Sequence, residues 1–283
     1  MIGRMLLWCL LLPTSTWAAT PVDAQLREMD REMLAAGASD RVEKLVDGYS
    51  SWESSRSSGD GCGSLSNLDL EAAFRASFYI SMYVGDEKWL GKVRCIHAEL
   101  GRRGIATETT HRKMHAVLVQ VRHFAEANAL REMASLRVDE LPEIERNAPG
   151  QQGVLHPLAS GKLEWRGWTY REGLEVVAYV SPACAPSRRA MHVIMNEPEW
   201  TWIRSSVRFV VRRSPAWPQP GVSEWNRSNP SHPMLLQAGP AGWKELDVHE
   251  TPVFHVFRNG QRLRTLTGWA EASAHLMSLK ESF

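Results

Sequence analysis

The sequence predicts an α+β protein, an all-α amino-terminal domain followed by an α/β carboxy-terminal domain. Three observations carry this. Apolar residues recur at helical spacing as far as residue 141. A stretch containing Pro, Gly and Gln, 142–157, then breaks the pattern. Beyond it the period changes, and short apolar runs alternate with a helical segment and an Asn-Gly turn. A chain of 283 residues suits one large or two small domains. The division expected is a helical domain over 20–141, a linker over 142–159 and the α/β domain over 160–283.

Residues 1–19 read as a secretion signal. Arg4 gives the positive start, 5–12 the apolar run, and Thr16-Trp17-Ala18-Ala19 a small-residue cleavage site. The run is too short to span a bilayer as a retained anchor. No later segment has the length and apolarity of a membrane span, so no integral membrane segment is expected once the signal is removed. The chain has 33 Lys+Arg and 32 Asp+Glu. Losing Arg4 with the signal balances them. Nothing here argues for nucleic acid or an anionic membrane surface as partner. The expected location is the periplasm or the exterior.

In the amino-terminal half, 23–34 and 40–49 read as short amphipathic helices, and 50–67 as a Ser/Gly-rich loop carrying Cys62. Leu70, Ala73, Phe74, Phe78 and Met82 share a face of a helix over 68–83. A helix over 89–100 carries Cys95. Met114, Leu118, Val121 and Ala125 form the stripe of a longer one over 108–133. In the other half, strands are expected over 162–170, 174–180 and 206–211, with a helix over 184–196. The Pro-, Gly- and Trp-rich 215–242 reads as a long inserted loop. Apolar 252–257 and 262–266 flank Asn259-Gly260, a strong hairpin signal. A helix over 270–279 closes the chain.

The cysteines narrow the chemistry. Cys9 lies in the signal, leaving Cys62, Cys95 and Cys184. Cysteines tend to pair in an oxidising compartment, and an odd one left over suggests a reactive thiol or an intermolecular bond. Cys62 and Cys95 both lie in the amino-terminal half and are expected to pair. Cys184 then stays free, between an apolar strand and the start of a helix. The unpaired N–H groups of a helix start push a thiol towards thiolate, the reactive form.

The pieces Val-Ser-Pro-Ala-Cys184-Ala-Pro-Ser187 and Glu250-Thr251-Pro252-Val-Phe-His-Val-Phe-Arg-Asn-Gly260, with Leu266-Thr-Gly268-Trp269, resemble the thioredoxin family. The resemblance covers roughly 160–283 and implies a central mixed sheet. It implies that Cys184 is the nucleophile, Pro186 the active-site proline, Pro252 a cis-proline facing the sulfur, and Thr251 the residue that touches it. The second cysteine of the family's Cys-x-Pro-Cys is Ser187 here. The buried acid six residues before the cysteine is Ala178, and the tryptophan just before it is Ala183. Without a resolving thiol, net reduction or oxidation is disfavoured. The reading is therefore a monothiol exchange protein, an isomerase or a holder of client proteins through a mixed disulfide. The alternative is a redox-silent interaction module of an envelope assembly, such as a secretion or conjugative-transfer machine. No cofactor and no metal is implied.

Other constellations are weaker. His111 and His115 have the spacing of a two-histidine metal face, but lack a following Glu and a clear third ligand. An exposed polar face is the better reading. His192 lies two turns beyond Cys184, too far to act as its base. His249 and Glu250 precede Thr251 and are expected near the sulfur, without a catalytic role. Asn226-Arg-Ser228 is a glycosylation sequon, accidental in a bacterial protein. A peroxiredoxin-like pattern fails because it wants Pro where Val177 stands. Trp217, Trp225 and Trp243 are expected to cover the sheet edge more than to form a peptide-binding wall. Mass spectrometry of the exported protein is expected to find a start near Ala19 or Thr20 and a Cys62–Cys95 bridge. Cys184 bridged to either would overturn the assignment.

Overall fold

The computed structural model describes residues 20–37, 40–56, 61–145, 151–158, 160–219, 221–239, 242–243, 246 and 251–280. The expected signal over 1–19, and His249 and Glu250, lie outside them.

Six α-helices come first: α1 (Val22–Ala35), α2 (Arg41–Arg56), α3 (Asn67–Val84), α4 (Glu87–Arg102), α5 (Glu108–Gln120) and α6 (Phe124–Met133). Local chemistry explains several ends. Ser66, Asp86 and Thr107 accept a backbone N–H with their side chains at the starts of α3, α4 and α5. Gly85 ends α3 in the left-handed conformation that favours glycine. The amphipathic faces bury Leu45, Leu70, Ile80, Leu90, Ile96 and Leu118 against one another. Cys62, in a 3₁₀ turn (Gly61–Ser64), is bonded to Cys95 of α4, with Cα atoms 6.2 Å apart.

Two expectations change here. Helix α2 runs on to Arg56, through residues expected as loop. The single helix expected over 108–133 is two, parted at Arg122, whose φ is +66°. No glycine or proline marks that break. Arg122 is held there by distant contacts: its Nε donates to Gln237 O (3.3 Å), and its guanidinium lies over the rings of Phe124 and Trp217. The side chain is buried, and its Nη2 has no partner among the described residues. Burial, with repulsion from Arg213, pushes its pKa down to about 9.

The second half carries β1 (Ile144–Glu145), β2 (Gly153–Pro157), β3 (Leu163–Gly167), β4 (Leu174–Val180), α7 (Ala185–Asn196), α8 (Thr201–Arg204), β5 (Val207–Val211), α9 (Val222–Ser228), β6 (Met234–Gln237), β7 (Val253–Arg258), β8 (Gln261–Thr267) and α10 (Trp269–Leu279). The strands form one mixed sheet in the order β1-β3-β2-β6-β5-β4-β7-β8. Strands β4, β5 and β6 are parallel, and β7 runs antiparallel to β4. Strand β4 lies inside the sheet and is covered on both faces, which is why all its residues but Glu175 are apolar. The Asn259-Gly260 turn has positive φ at both residues and joins β7 to β8 as expected.

The stretch expected as linker contributes β1 and β2, and the expected inserted loop holds α9 and β6. Strands β2 and β6 pair with each other, Leu155 opposite Leu236. Each is short and flanked by Pro or Gly, so neither shows a readable period. Val176, Ala178 and Val180 face α7 and α10, and this core runs on into the helical bundle. Val177 and Tyr179 face the other way, under Trp168 and Trp243. Arg213 Nη1 adds a 2.8 Å bond to Gly85 O across the junction of the two halves. Loss of the Cys62–Cys95 bridge in a Cys62→Ser/Cys95→Ser variant is expected to cost about 2–4 kcal/mol. A lower urea midpoint is the readout, and an unchanged midpoint would contradict it.

Candidate active site

Strand β4 delivers the chain to a short loop, 181–183, and Cys184 follows as the residue capping α7. The loop is stitched at both ends. Cys184 N–H donates to Ser181 O (3.0 Å), and Arg188 N–H donates to Cys184 O (3.0 Å). Ser181 N–H donates to Ser187 Oγ (3.2 Å), and Ser187 is fully buried beneath the loop. Arg188 folds back over it, donating to Pro182 O (3.1 Å) and Ala183 O (2.9 Å). Pro186 occupies the first turn of α7, where a missing N–H costs nothing. It is solvent-exposed, as is Ala183.

The opposing wall comes from the strand next door. The β4–β7 register sets Tyr179 opposite Val253, so the residues just before β7 lie beside the loop just after β4. Thr251-Pro252 is a cis peptide, as the resemblance implies. Gly268 N–H donates to Pro252 O (2.8 Å), tying this turn to the end of β8. Cys184 Sγ stands 3.3 Å from Thr251 O. Thus Cys184, Ser187, Pro186, Thr251 and Pro252 gather around one loop and one turn. Ala178, six residues before the cysteine, is completely buried and brings no acid beneath the site.

The sulfur is half-buried, and its cysteine is the free one. Burial, the largest influence, raises the thiol pKa. The protonated thiol donates to Thr251 O, which also favours the neutral form. Against these act the Ser187 N–H, the hydroxyls of Thr251 and Ser187, and the positive charge of Arg188. Together they hold the thiol below its ordinary value. The N–H contribution is the helix-start effect expected from sequence. Arg188 is the residue the sequence reading passed over. A cation in the first turn of a helix opposes the helix dipole. That was the available signal that the arginine serves something else.

The remaining candidates fall elsewhere. His192 is exposed on α7 and engages Asn196 through Nδ1. His111 meets His97 at 3.0 Å, and His115 is buried rather than on the exposed face expected for it. The tryptophans are packing residues. Trp217 stacks edge-on to Phe124 and Trp225 to Phe209, and Trp243 is fully buried against Trp168. The insertion does touch the site. Gly221, at φ +83°, lies so close to Pro182 that a Cβ there would come within 2.9 Å of the proline side chain.

A strand-loop-helix-strand unit on β4, a turn before β7 bearing the cis-proline, and a closing hairpin and helix complete the pattern. The carboxy-terminal part has a thioredoxin-like fold. No family model and no curated relative matches the chain. Among solved structures, it is similar to StoA from Bacillus subtilis at TM-score 0.33 and 16% identity, over 47% of this chain and 99% of that one. An uncharacterized thioredoxin-like protein from Porphyromonas gingivalis gives TM-score 0.34 and 18% identity, over 47% and 89%. A thioredoxin-like protein from Bacteroides caccae gives 0.27 and 11%, over 99% of both. Among the described residues, no helix is long and apolar enough to cross a membrane.

Alkylation of Cys184 is expected to rise with pH through a midpoint below the free-cysteine value of roughly 8.5. Arg188→Ala removes a charge that favours thiolate and is expected to move the midpoint up. A midpoint at or above the free value in the native protein would contradict the electrostatics described.

Proposed function

We propose that this chain is an exported thiol–disulfide exchange protein acting through Cys184 alone, as an isomerase or as a holder of client proteins. The observation that carries the reading is the sulfur itself. It is half-buried against the cis-proline turn, with the Ser187 N–H, two hydroxyls and Arg188 favouring its ionised form. The proposed organisation is a signal over 1–19, a helical domain over 20–141 and a thioredoxin-like domain over 160–283, joined by 142–159, which supplies β1 and β2 to the sheet. Its place is the periplasm or the exterior.

The Cys184 thiolate attacks one sulfur of a client disulfide. A Cys184–client bond forms, the client S–S bond breaks, and the other client sulfur leaves as thiolate. A further client thiolate then attacks the client sulfur of the mixed disulfide. A new client S–S bond forms, and Cys184 leaves as thiolate. Two bonds form and two break, with no net electron transfer. Ser187 provides no second thiol to intercept the mixed disulfide, because a hydroxyl is far too basic to act as a leaving group. The backbone of Thr251, in the turn beside the sulfur, suits an extended client segment added as a short strand.

Cys184→Ser is expected to abolish reshuffling of a scrambled disulfide substrate. Ser187→Cys is expected to gain dithiol reductase or oxidase activity with a standard disulfide substrate. A native protein that neither reshuffles disulfides nor forms a mixed disulfide would favour the redox-silent interaction module of an envelope assembly.

A further inference from the structure

The insertion between β5 and β6 leans on the active-site loop at Pro182. Gly221, the residue capping α9, has φ +83°. A Cβ added there would lie 2.9 Å from Pro182 Cβ and 3.7 Å from its Cγ. Glycine is needed at this point twice over, for the left-handed backbone and for the close approach. Pro182 is the middle residue of the loop 181–183, two positions before Cys184.

The two sides of the contact are not held equally. Helix α9 is fixed within the insertion. Asn226 Nδ2 donates to Met234 O (3.2 Å), and Asn226 Oδ1 accepts the Met234 N–H (2.7 Å). Trp225 Nε1 donates to His232 O (2.9 Å), and its ring stands edge-on to Phe209 of β5. Val222 is buried, and just ahead of it Gln219 Nε2 donates to Arg212 O (2.9 Å). Opposite stand Ser181 and Pro182, half-buried, and Ala183, exposed. Crowding at this contact therefore displaces the loop and not the helix.

The loop carries the guanidinium of Arg188. Its Nη1 donates to Pro182 O (3.1 Å) and to Ala183 O (2.9 Å). Both acceptors lie at or next to the residue that Gly221 touches. Arg188 is exposed on the first turn of α7, so these carbonyls, more than packing, set where its charge stands.

From this chain of contacts we infer that Gly221 is a positioning residue of the thiol site, seating Pro182 so that the Pro182 and Ala183 carbonyls hold the Arg188 guanidinium beside Cys184. The insertion thus acts on the sulfur without touching it. Burial raises the thiol pKa, and Arg188 is among the groups that lower it, so a displaced Arg188 lets it rise. The inference rests on the exchange reading for the role of Cys184, but its test reads the thiol itself.

The test is alkylation of Cys184 by iodoacetamide against pH in the full mature protein. Gly221→Ala is expected to raise the midpoint to that of Arg188→Ala and to slow alkylation at pH 7 about threefold. In an Arg188→Ala background it is expected to add nothing. Gly161→Ala, in the turn between β2 and β3, meets the same kind of backbone strain at φ +81°, with nothing within 4 Å of the added Cβ. It should leave the midpoint unchanged. Pro182→Gly withdraws the seat from the loop side and is expected to raise the midpoint too, which keeps the test open should Gly221→Ala fold poorly by circular dichroism. An unmoved midpoint in the folded variant, an equal rise from Gly161→Ala, or an equal rise in the Arg188→Ala background would overturn the inference. Reshuffling of a scrambled substrate is measured alongside. Its absence from the native protein would sink the exchange reading and leave these midpoints to decide the positioning role.

Discussion

The pairing of β4 with β7 is the constraint on which the site depends. Cys184 lies beyond one end of β4 and Thr251-Pro252 before the start of β7, and Cys184 and Thr251 are 67 positions apart in the chain. Antiparallel register brings them together, because the end of one strand meets the start of the other. A slip of one residue would turn every side chain of β7 to the opposite face. Val256 and Phe254 would leave the core they share with α7, so burial on both faces enforces the register that sets the sulfur against Thr251.

Once placed, the sulfur is governed by competing terms of similar kind. Burial and the Thr251 carbonyl favour the neutral thiol, while the helix start, two hydroxyls and Arg188 favour the charged one. Ser187 belongs to both the scaffold and the electrostatics. Its hydroxyl accepts the Ser181 N–H that closes the loop, and its own N–H faces the sulfur. A cysteine at 187 would trade that scaffold bond for a second reactive sulfur. The serine therefore has a structural reason to be there as well as a chemical consequence.

The helical half is continuous with the sheet through one apolar core. The junction also contains two buried arginines, Arg122 and Arg213, bonded to carbonyls on the opposite side of it. A buried guanidinium is costly to desolvate, and burial with the nearby Arg213 charge lowers the pKa of Arg122. Its bond to Gln237 O and the aromatic rings beside it offset part of that cost. The insertion packs at the same junction through Trp217 and reaches the active-site loop through Gly221. It links the helical half to the surroundings of the thiol.

The sequence by itself determined the parts whose information is local. The runs of β4 and β7 are legible because strands covered on both faces are mostly apolar, Glu175 and His255 apart. The Asn259-Gly260 hairpin is legible because few residues accept positive φ. Cys184 was legible as the odd thiol, and the Cys62–Cys95 pair followed from placing the remaining two in one half. Only tertiary structure decided the rest. Strands β2 and β6 are too short to show a period and are fixed by pairing with β3, with β5 and with each other. The break at Arg122 has no local signal, since its guanidinium is held by the carbonyl of Gln237, 115 residues away. Local propensity acts over a few residues, whereas a site assembled from strand ends depends on which strands become neighbours.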